Sequence, residues 1–526
     1  MSENVIFYFA LVIFVATYFI IATEKIHKTV AALVGASLMM LFVLEGPGHG
    51  PENNQEVNTE IIAPLPEAEG IGGAAVAAPE AENTDPVAET TEIAESTMEN
   101  ASGTEVSTNV EENAVIATGE EPSVMSTEES AKLKRYDELD VFARYVDFNV
   151  IFTLAGMMLL VNILSTTGIF QYVAIKCAKI SKAEPVRMLI LLVMATAILS
   201  AFLDNVTTIL LIAPVTLVVT AQLRISPIPF LMAETIASNI GGTATLIGDP
   251  PNLLIGSKAG LGFMPFLINL APFVLTILII YCIILYIYYA KRMSVTVEHR
   301  AAVMEMDENA AITDMANMKR GGIIMLLTIV GFLVHSKFGL QSCVVAFAGA
   351  SLGLLFCKVD VDHALEKIEW STLFFFMGLF VLVYGADQAG LMLKFGELLG
   401  FMHNWNPLLI ILVIMWVSGI CAGVMNNVSF TAAMIAVIGS FIDQTPSFAG
   451  NIEMTHLLWW GLALAVCLGG NATLVGAAAN LVTAGIAEKA GHKMTFKHFL
   501  WYGLPVTFGS LVAASLYIVG RYFLIA

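Results

Sequence analysis

Charged side chains are scarce in this chain. Of its 526 residues only 13% are charged, whereas 57% are hydrophobic, and the mean hydropathy is +0.78. A water-soluble domain cannot hide that much apolar surface, so the composition excludes a soluble globular protein. Apolar runs of span length recur along the chain and predict an all-α polytopic membrane protein.

Basic residues are absent from one long segment. Between Gly46 and Ala131 there are 19 Asp and Glu residues, no Lys or Arg, and almost no aromatic residues. The other 25 acids balance the 25 basic residues, so the net charge of −19 belongs to this segment. Such a composition cannot bury enough apolar area to offset the entropy of ordering, which predicts a disordered insert. A solvated linker is the favoured interpretation, and a regulatory or ligand-capturing segment is the alternative.

Other chemical signatures are missing as well. The six cysteines are scattered and form neither a disulfide framework nor a metal-ligand spacing. There is no His-Glu-x-x-His and no convincing Ser or Asp dyad, which argues against an intramembrane enzyme. The first residues lack a basic n-region, so 5–22 is expected to be a retained span. We therefore expect no enzyme activity, no cofactor and no nucleic-acid partner.

Two apolar segments of the first half are unusual. The segment 188–222 is about 35 residues long and lies between two arginines, which predicts a re-entrant hairpin with Asp204 and Asn205 at its tip. The segment 228–260 contains two prolines and three glycines between Ser238 and Asn252. This composition predicts a helix that is broken at mid-membrane, where its backbone groups face a ligand.

The chain contains an internal repeat. A shift of 222 residues places Asp204-Asn-Val-Thr207 on Asn426-Asn-Val-Ser429, and a further slip of six aligns 241–252 with 469–480 at seven identities. Each half then has about five crossings, one of them a broken helix, and one hairpin, so the halves have opposite orientations. The predicted division is 1–45 for the first two spans of repeat 1, 46–140 for the acidic insert, 141–292 for the remainder of repeat 1, 293–320 for a connector, and 321–526 for repeat 2, with hairpin 407–442 and broken helix 456–488.

Polar residues gather where the hairpin tips and the helix breaks should meet. A carboxylate at bilayer depth costs roughly 2.5 to 3.5 kcal/mol on insertion scales and usually marks an ion or substrate path. Asp204 is the leading candidate for the coupling carboxylate, and Asp249 and Glu234 are the further candidates. A buried acid whose hydrogen bonds are satisfied by neighbouring helices is the structural alternative. A bound Na⁺, the one further ligand expected, is assigned to Asp204, Asn205, Asn426 and Asn427. The candidate substrate or ion ligands are Asp204, Asn205, Thr207, Thr208, Ser238, Asn239, Gly241, Gly242, Thr243, Thr245, Asp249, Asn252, Asn426, Asn427, Ser429, Gly469, Gly470, Asn471, Thr473 and Asn480.

The charges of this region favour a cation. Its only base, Lys258, lies at the far end of the first broken helix. A site with acids and no bases suits Na⁺ or H⁺, or a neutral solute coupled to one. Transport of an oxyanion remains an alternative, because helix N-termini and a bound Na⁺ can neutralise the charge of an anion.

Basic residues also predict the orientation. Those near 25–28, 176–187, 291–292, 319–320 and 489–497 fall on one side, which the positive-inside rule makes cytoplasmic. Both termini and residues 46–140 are then extracytoplasmic, in a multi-pass protein of the cell (inner) membrane.

Three strings, 199–208, 239–252 and 467–480, resemble the ion transporter superfamily, in the group of arsenite permeases, NhaD-type sodium/proton antiporters and the melanosomal P protein. The closest resemblance is to the P protein, and it covers about residues 140–526. It implies a citrate transporter-like domain, a homodimer, and a scaffold part against which a transport part moves elevator-fashion. P-protein-like members tend to carry Asp-Asn-Ile-Pro at the second hairpin tip, whereas this chain has Asn426-Asn-Val-Ser429, which leaves the cargo open.

The sequence therefore predicts a secondary active transporter of an inorganic ion, coupled to Na⁺ or H⁺ and working by an elevator motion. An arsenite, silicate or other anion permease of the same superfamily is the first alternative. An ion channel built on the same hairpins is the second. The expected partners are the ion substrate, the lipid bilayer and a second copy of the chain.

Overall fold

The computed structural model describes residues 3–23, 26–44 and 145–525. The predicted insert 46–140 lies outside the described residues. The part of the chain that is described forms twenty α-helices and contains no β-strand. Ten of these helices are long and apolar enough to cross a membrane. The prediction of an all-α polytopic membrane protein is confirmed.

The first half of the chain contributes nine helices. They are α1 (Glu3–Thr23), α2 (Lys28–Met39, continued by a π-helical turn, Met40–Leu44), α3 (Phe148–Ser165), α4 (Ile169–Ile180), α5 (Pro185–Ser200), α6 (Asn205–Gln222), α7 (Ile228–Gly242), α8 (Pro250–Ala259) and α9 (Phe263–Tyr289). A connector follows, with α10 (Val297–Met304) and a short 3₁₀ turn (Asn309–Ala311).

The second half repeats this order. Its helices are α11 (Met315–Val334), α12 (Ser342–Cys357), α13 (Val361–Glu366), α14 (Trp370–Gln388), α15 (Leu391–Leu398), α16 (Pro407–Val424), α17 (Asn427–Gln444), α18 (Ile452–Gly469), α19 (Ala478–Lys489) and α20 (Phe496–Ile525). In each half three long helices and a short one precede a hairpin (α5–α6, α16–α17), a broken helix (α7–α8, α18–α19) and a final span (α9, α20). In chain order, the short helix α13 stands between α12 and α14, the position that the acidic insert has between α2 and α3 in the first half.

The two broken helices share a backbone geometry at the break but differ in their use of proline. Asp249, directly before α8, is extended, with φ −137° and ψ 130°. Proline has no N–H, so Pro250 and Pro251 suit the first turn of α8, where a helix has no use for those donors. The second break has no proline. There Ala477 holds an extended backbone, with φ −140° and ψ 147°, before α19 begins. Proline is therefore not needed for the break, which the loop's own hydrogen bonds maintain.

The two repeats interlock rather than sit side by side. Helix α2 packs on α14 and α12 on α3, while α6 packs on α19 and α17 on α8. A Cβ at Gly156 would lie 2.8 Å from the Ala346 backbone, and one at Gly378 would lie 2.9 Å from the Ala32 backbone. Small residues permit such close approach in lipid, where burial of apolar surface gives no driving force.

The helices form two groups. The first contains α1, α2, α3, α11, α12 and α14, and the second contains both hairpins and both broken helices, flanked by α9 and α20. The hairpin tips and the helix breaks meet inside the second group, next to α3. The candidate site lies at this meeting point.

Candidate functional site

Each hairpin tip ends in a residue that caps the following helix. Asp204 accepts hydrogen bonds from Thr207, from the backbone N–H to Oδ1 at 2.9 Å and from the hydroxyl to Oδ2. In the second repeat Asn426 Oδ1 accepts from the Val428 N–H at 3.1 Å. The two tips thus share one local geometry, because both side chains satisfy a helix N-terminus. Only the first tip carries a charge.

An asparagine in each broken helix holds the interrupting loop closed. Asn252 Nδ2 donates to the Thr245 carbonyl at 2.9 Å, and Asn480 Nδ2 donates to the carbonyls of Gly470 and Thr473 at 2.8 Å. These bonds satisfy carbonyls that the break removes from the helix ladder. Asn252 and Asn480 therefore shape the site, whatever else they bind.

The loops are also tied to the hairpin tips. The Thr245 hydroxyl donates to the Ala201 carbonyl, and the Thr473 hydroxyl donates to the Gly423 carbonyl at 2.6 Å. The backbone N–H of Asn427 donates to the Gly476 carbonyl at 2.9 Å. Tip and break consequently form one unit in each repeat.

Three of the four predicted site glycines lie at very close contacts between these units. A Cβ at Gly241 or Gly469 would lie 2.1 or 2.4 Å from a carbonyl oxygen of α5 or α16, respectively. A Cβ at Gly242 would lie 2.3 Å from Asn205 Oδ1. These glycines let the backbones approach, and the structure gives Gly241 and Gly469 a packing role at the back of the site.

A small, partly open cavity of about 30 Å³ lies where the two repeats meet. Its walls are formed by Asp204, Asn205, Val206, Asp249, Pro250, Asn427, Val428, Ala477, Ala478 and Ala479. The first residues of four helices, α6, α8, α17 and α19, are among them. Helix N-termini carry partial positive charge and N–H groups without intrahelical partners. The cavity therefore combines four such ends with two carboxyl groups.

Of the two acids on the wall of this cavity, Asp249 has the carboxylate oxygen that is free to bind a ligand. It is only 1% accessible to solvent, and although it precedes α8 its side chain does not cap that helix. It faces the side chains of Cys467, Asn205 and Asn427, so it meets both repeats. Its Oδ2 has no hydrogen-bond partner among the described residues. Asp249 thus has a free ligand atom, whereas both oxygens of Asp204 accept bonds from Thr207.

Asp204 also borders a second, smaller cavity. This space of about 10 Å³ is lined by Thr153, Leu154, Met157, Met158 and Val161 of α3, and by Asp204, Ile247 and Leu253. Asp204 therefore lies between the cavity shared by the repeats and the helix group that contains α3.

The structure places Glu234 elsewhere. This residue is fully buried on α7, and its Oε1 accepts a hydrogen bond from the Thr216 hydroxyl at 2.6 Å. It does not line either cavity described above. Glu234 is thus brought to the α6–α7 interface and not to the hairpin tip.

The remaining predicted residues mostly bond to one another. Asn239 Nδ2 donates to Asn471 Oδ1 at 2.9 Å and to Asn480 Oδ1 at 3.0 Å, across the repeats. Ser238 lies within 3.0 Å of Ser200, and Thr243 donates to the Asn239 carbonyl. These contacts lock the broken helices together behind the cavity.

Two first-turn hydroxyls remain unused. The Oγ atoms of Thr208 on α6 and Ser429 on α17 are buried and have no hydrogen-bond partner in the described structure. Asn426, the fourth residue assigned to Na⁺, caps α17 and is not among the residues that line the larger cavity.

Two residues escaped the sequence analysis. Cys467 donates to Asn252 Oδ1 at 3.4 Å, which mirrors the Asn239–Asn480 bond, because a shift of 228 puts Cys467 on Asn239. Glu369 lies directly before α14 and interacts electrostatically with Asp204. The internal repeat could have pointed to Glu369, because a shift of 222 residues aligns it with Asp147, an acid that directly precedes α3. Across the described ranges, His, Cys, Asp and Glu form no cluster of three or more that would hold a metal ion.

Interlocked repeats whose hairpin tips and helix breaks converge on a small cavity with two carboxyl groups on its wall are typical of a membrane transporter. A family model described as citrate transporter matches residues 122–465. The chain belongs to this citrate transporter family.

Relatives and a solved structure agree with this assignment. An uncharacterized transporter of Mycobacterium tuberculosis is 39% identical over 387 residues, which are 73% of this chain and 89% of that protein. The P protein of Mus musculus is 32% identical over 459 residues, 71% of this chain and 54% of that protein. The YdaH transporter of Alcanivorax borkumensis has a similar fold, with a TM-score of 0.52 at 14% identity, covering 76% of this chain and 90% of that one. The predicted resemblance to the superfamily that includes the P protein is confirmed.

Proposed function

We propose that this protein is a secondary active transporter that moves a small inorganic ion and couples its movement to Na⁺ or H⁺. One observation carries the proposal. The starting residues of four helices, two from each repeat, line one small cavity, and on its wall the buried Asp249 has an oxygen that no described residue bonds.

The buried acid supports a coupling cation. An ionised carboxylate taken out of water costs several kcal/mol unless it is paired, and the residues that face Asp249 include no base. A proton or a Na⁺ ion removes that cost. Oxygen atoms are the ligands that hard cations prefer, and Asp204 supplies a second carboxyl group at the same cavity. We assign the coupling ion to Asp249 first, with Asp204 as its neighbour.

The size of the cavity supports a small occupant. About 30 Å³ is room for one or two water-sized species. Sites for organic molecules usually enclose about 300 to 1,000 Å³. In the described conformation the cavity therefore suits a dehydrated ion.

The division of the helices into two groups supports an elevator motion. Asp204 borders a cavity against α3, and α3 belongs to the group without hairpins. In the proposed mechanism α1–α3, α11, α12 and α14 form the scaffold, and the hairpins with the broken helices move along it. The resemblance implies a homodimer, and the positive-inside rule implies that the basic loops are cytoplasmic. We propose that the protein works as such a dimer in the cell membrane.

Flux measurements in proteoliposomes test the proposal. Radioactive Na⁺ uptake and a pH-sensitive dye report movement of the two candidate coupling ions under imposed gradients. We expect Asp249→Asn to abolish the gradient dependence and Asp204→Asn to weaken it less. Asp314→Asn, the same change at a residue that caps α11 in the connector, is the matched control and should behave as wild type.

Two outcomes would count against the proposal. Unchanged coupling in Asp249→Asn would remove that residue from the mechanism. Single-channel currents in place of saturable counterflow would favour the ion channel.

An organic anion is the second candidate cargo, which the family description favours. The N-termini of α17 and α19 carry no acid at the cavity, and such helix ends attract carboxylates. Citrate would require the cavity to widen. Citrate counterflow, measured beside arsenite and chloride, distinguishes this cargo from an inorganic ion.

A further inference from the structure

Basic side chains gather at one end of the paired helices α9 and α20. They are exposed and comprise Lys291, Arg292, Lys489, His492, Lys493, Lys497 and His498. The stretches 282–297 and 489–504 contain no Asp or Glu, and the acids that directly flank them are Glu298 after the first and Glu488 before the second. We call this surface the basic end. Four lysines and one arginine outnumber the two flanking acids, so the basic end keeps a net positive charge.

Tyrosines join the two helices at the basic end. The Tyr289 hydroxyl donates a hydrogen bond to the Tyr502 hydroxyl, with 3.0 Å between the two oxygens. The His498 ring packs edge-on against Tyr502, with 5.5 Å between ring centroids. The Arg292 guanidinium lies 3.9 Å from the centre of the Tyr288 ring. These contacts bring bases from the end of repeat 1 and from the last helix of repeat 2 onto one surface.

The stacked arginine is free to bind an anion. A guanidinium that stacks on an aromatic face keeps its planar N–H edge available for a bidentate bond to phosphate or carboxylate. Among the ion pairs of the described residues, none includes Arg292 or Lys497. Both charges are thus available to a partner outside the chain.

Exposed aromatic residues place the basic end at the membrane surface. Trp501 is 72% exposed, Tyr286 53% and Phe496 49%. Aromatic side chains of this kind concentrate at the headgroup level of a bilayer. The bases that accompany them are therefore at the depth of lipid phosphates.

The opposite end of the same helix pair provides an internal comparison. There Arg521 donates to the Tyr517 hydroxyl at 3.1 Å, and Tyr517 donates to the Asn269 carbonyl at 2.5 Å. The repeat relates the two helices, yet this end of α20 has one base. Packing of α9 on α20 consequently does not require the basic cluster.

We infer that the basic end binds the phosphate headgroups of anionic phospholipids in the adjoining leaflet. The arginine and the lysines supply the charge, and the exposed aromatic side chains lie beside them at the headgroup level. By the positive-inside rule this leaflet is the cytoplasmic one. Because the lipid bridges residues of both repeats, its binding should stabilise the folded chain.

Thermal unfolding of the purified full-length chain in detergent tests the inference. Titration with phosphatidylglycerol should raise the unfolding midpoint, and phosphatidylcholine should do so much less. In the double variant Arg292→Gln/Lys497→Gln, we expect the apparent affinity for phosphatidylglycerol to fall about fivefold per base, about 25-fold in all. The matched control is Lys337→Gln/Arg521→Gln, which removes two bases from the other end and should keep the wild-type response.

The following results support or overturn the inference of lipid binding. If Arg292→Gln/Lys497→Gln unfolds early without lipid, the charge-preserving variant Arg292→Lys/Lys497→Arg replaces it and should keep the preference for phosphatidylglycerol. An undiminished preference in the glutamine variant, or an equal loss in the control, overturns the inference. So does an equal stabilisation by inorganic phosphate, since that would identify a site for a soluble anion.

Discussion

A methyl group added at Gly242 should separate the first hairpin tip from the first helix break. A Cβ there would lie 2.3 Å from Asn205 Oδ1 and 2.7 Å from the Gly248 carbonyl oxygen. The repeat offers its own control, because Gly470 occupies the equivalent position in the second half. At Gly470 the nearest atoms would lie 3.3 Å away. Both positions are helical in backbone, so the two substitutions differ in steric contact.

The structure sets the size of the expected effect. At Gly242 the neighbours must withdraw by about an ångström, and an overpacked site of this kind costs about 1 to 3 kcal/mol of unfolding free energy. Asn205 cannot withdraw freely, because its Oδ1 accepts a bond from Ser200 at 2.6 Å. At Gly470 a shift of a few tenths of an ångström is enough, so Gly470→Ala should cost less than about 1 kcal/mol.

Chemical unfolding in detergent measures both variants against wild type, with the Na⁺ dependence of the midpoint as a second readout. Gly242→Ala should lose stability and most of any Na⁺ response, since it displaces Asn205 from the cavity wall. Equal losses in Gly242→Ala and Gly470→Ala, or a neutral Gly242→Ala, would refute the close contact between tip and break.

Two further predictions concern two glutamates, Glu308 in the connector outside the membrane and Glu234 on the membrane helix α7. The hydrogen bond from Lys179, together with that from Lys176, lowers the pKa of Glu308 from 4.5 to about 2. A depressed pKa stabilises the fold above the unfolded value, so the connector should stay protected from hydrogen exchange above about pH 4.5 and loosen as the pH falls toward 2. Glu308→Gln should be loose at every pH, and a wild-type profile in that variant would contradict this. Glu234→Gln should leave the ion dependence of transport intact, in contrast to Asp249→Asn; equal loss in both would put Glu234 in the ion path.

The helix breaks were predictable because their signals are local. Gly, Pro and Asn act within a few residues of where they stand, and each string occurs twice at a fixed shift. The structure has its helices ending at Gly242 and Gly469 and restarting at Pro250 and Ala478. An N-cap signal was present too, since Asp204 and Asn426 directly precede helices.

The direction of each polar side chain was not predictable from the sequence. Asn239 and Glu234 both lie on α7 among the predicted ligands, yet Asn239 bonds to Asn471 and Glu234 to Thr216. Those outcomes depend on which neighbouring helix each side chain meets. In the same way, the electrostatic interaction of Glu369 with Asp204 depends on how α14 packs against the first hairpin.

The larger cavity has a backbone that nearly repeats itself and a chemistry that does not. Asp249 in the first half corresponds to Ala477 in the second, so one wall is acidic and the facing wall is neutral. A strictly symmetric enclosure would look the same to ions arriving from the two compartments. With the acid on one wall only, arrivals from the two compartments meet unequal barriers. The ion affinity and exchange rate on the two sides can therefore differ, while the ion gradients alone set the net direction of transport.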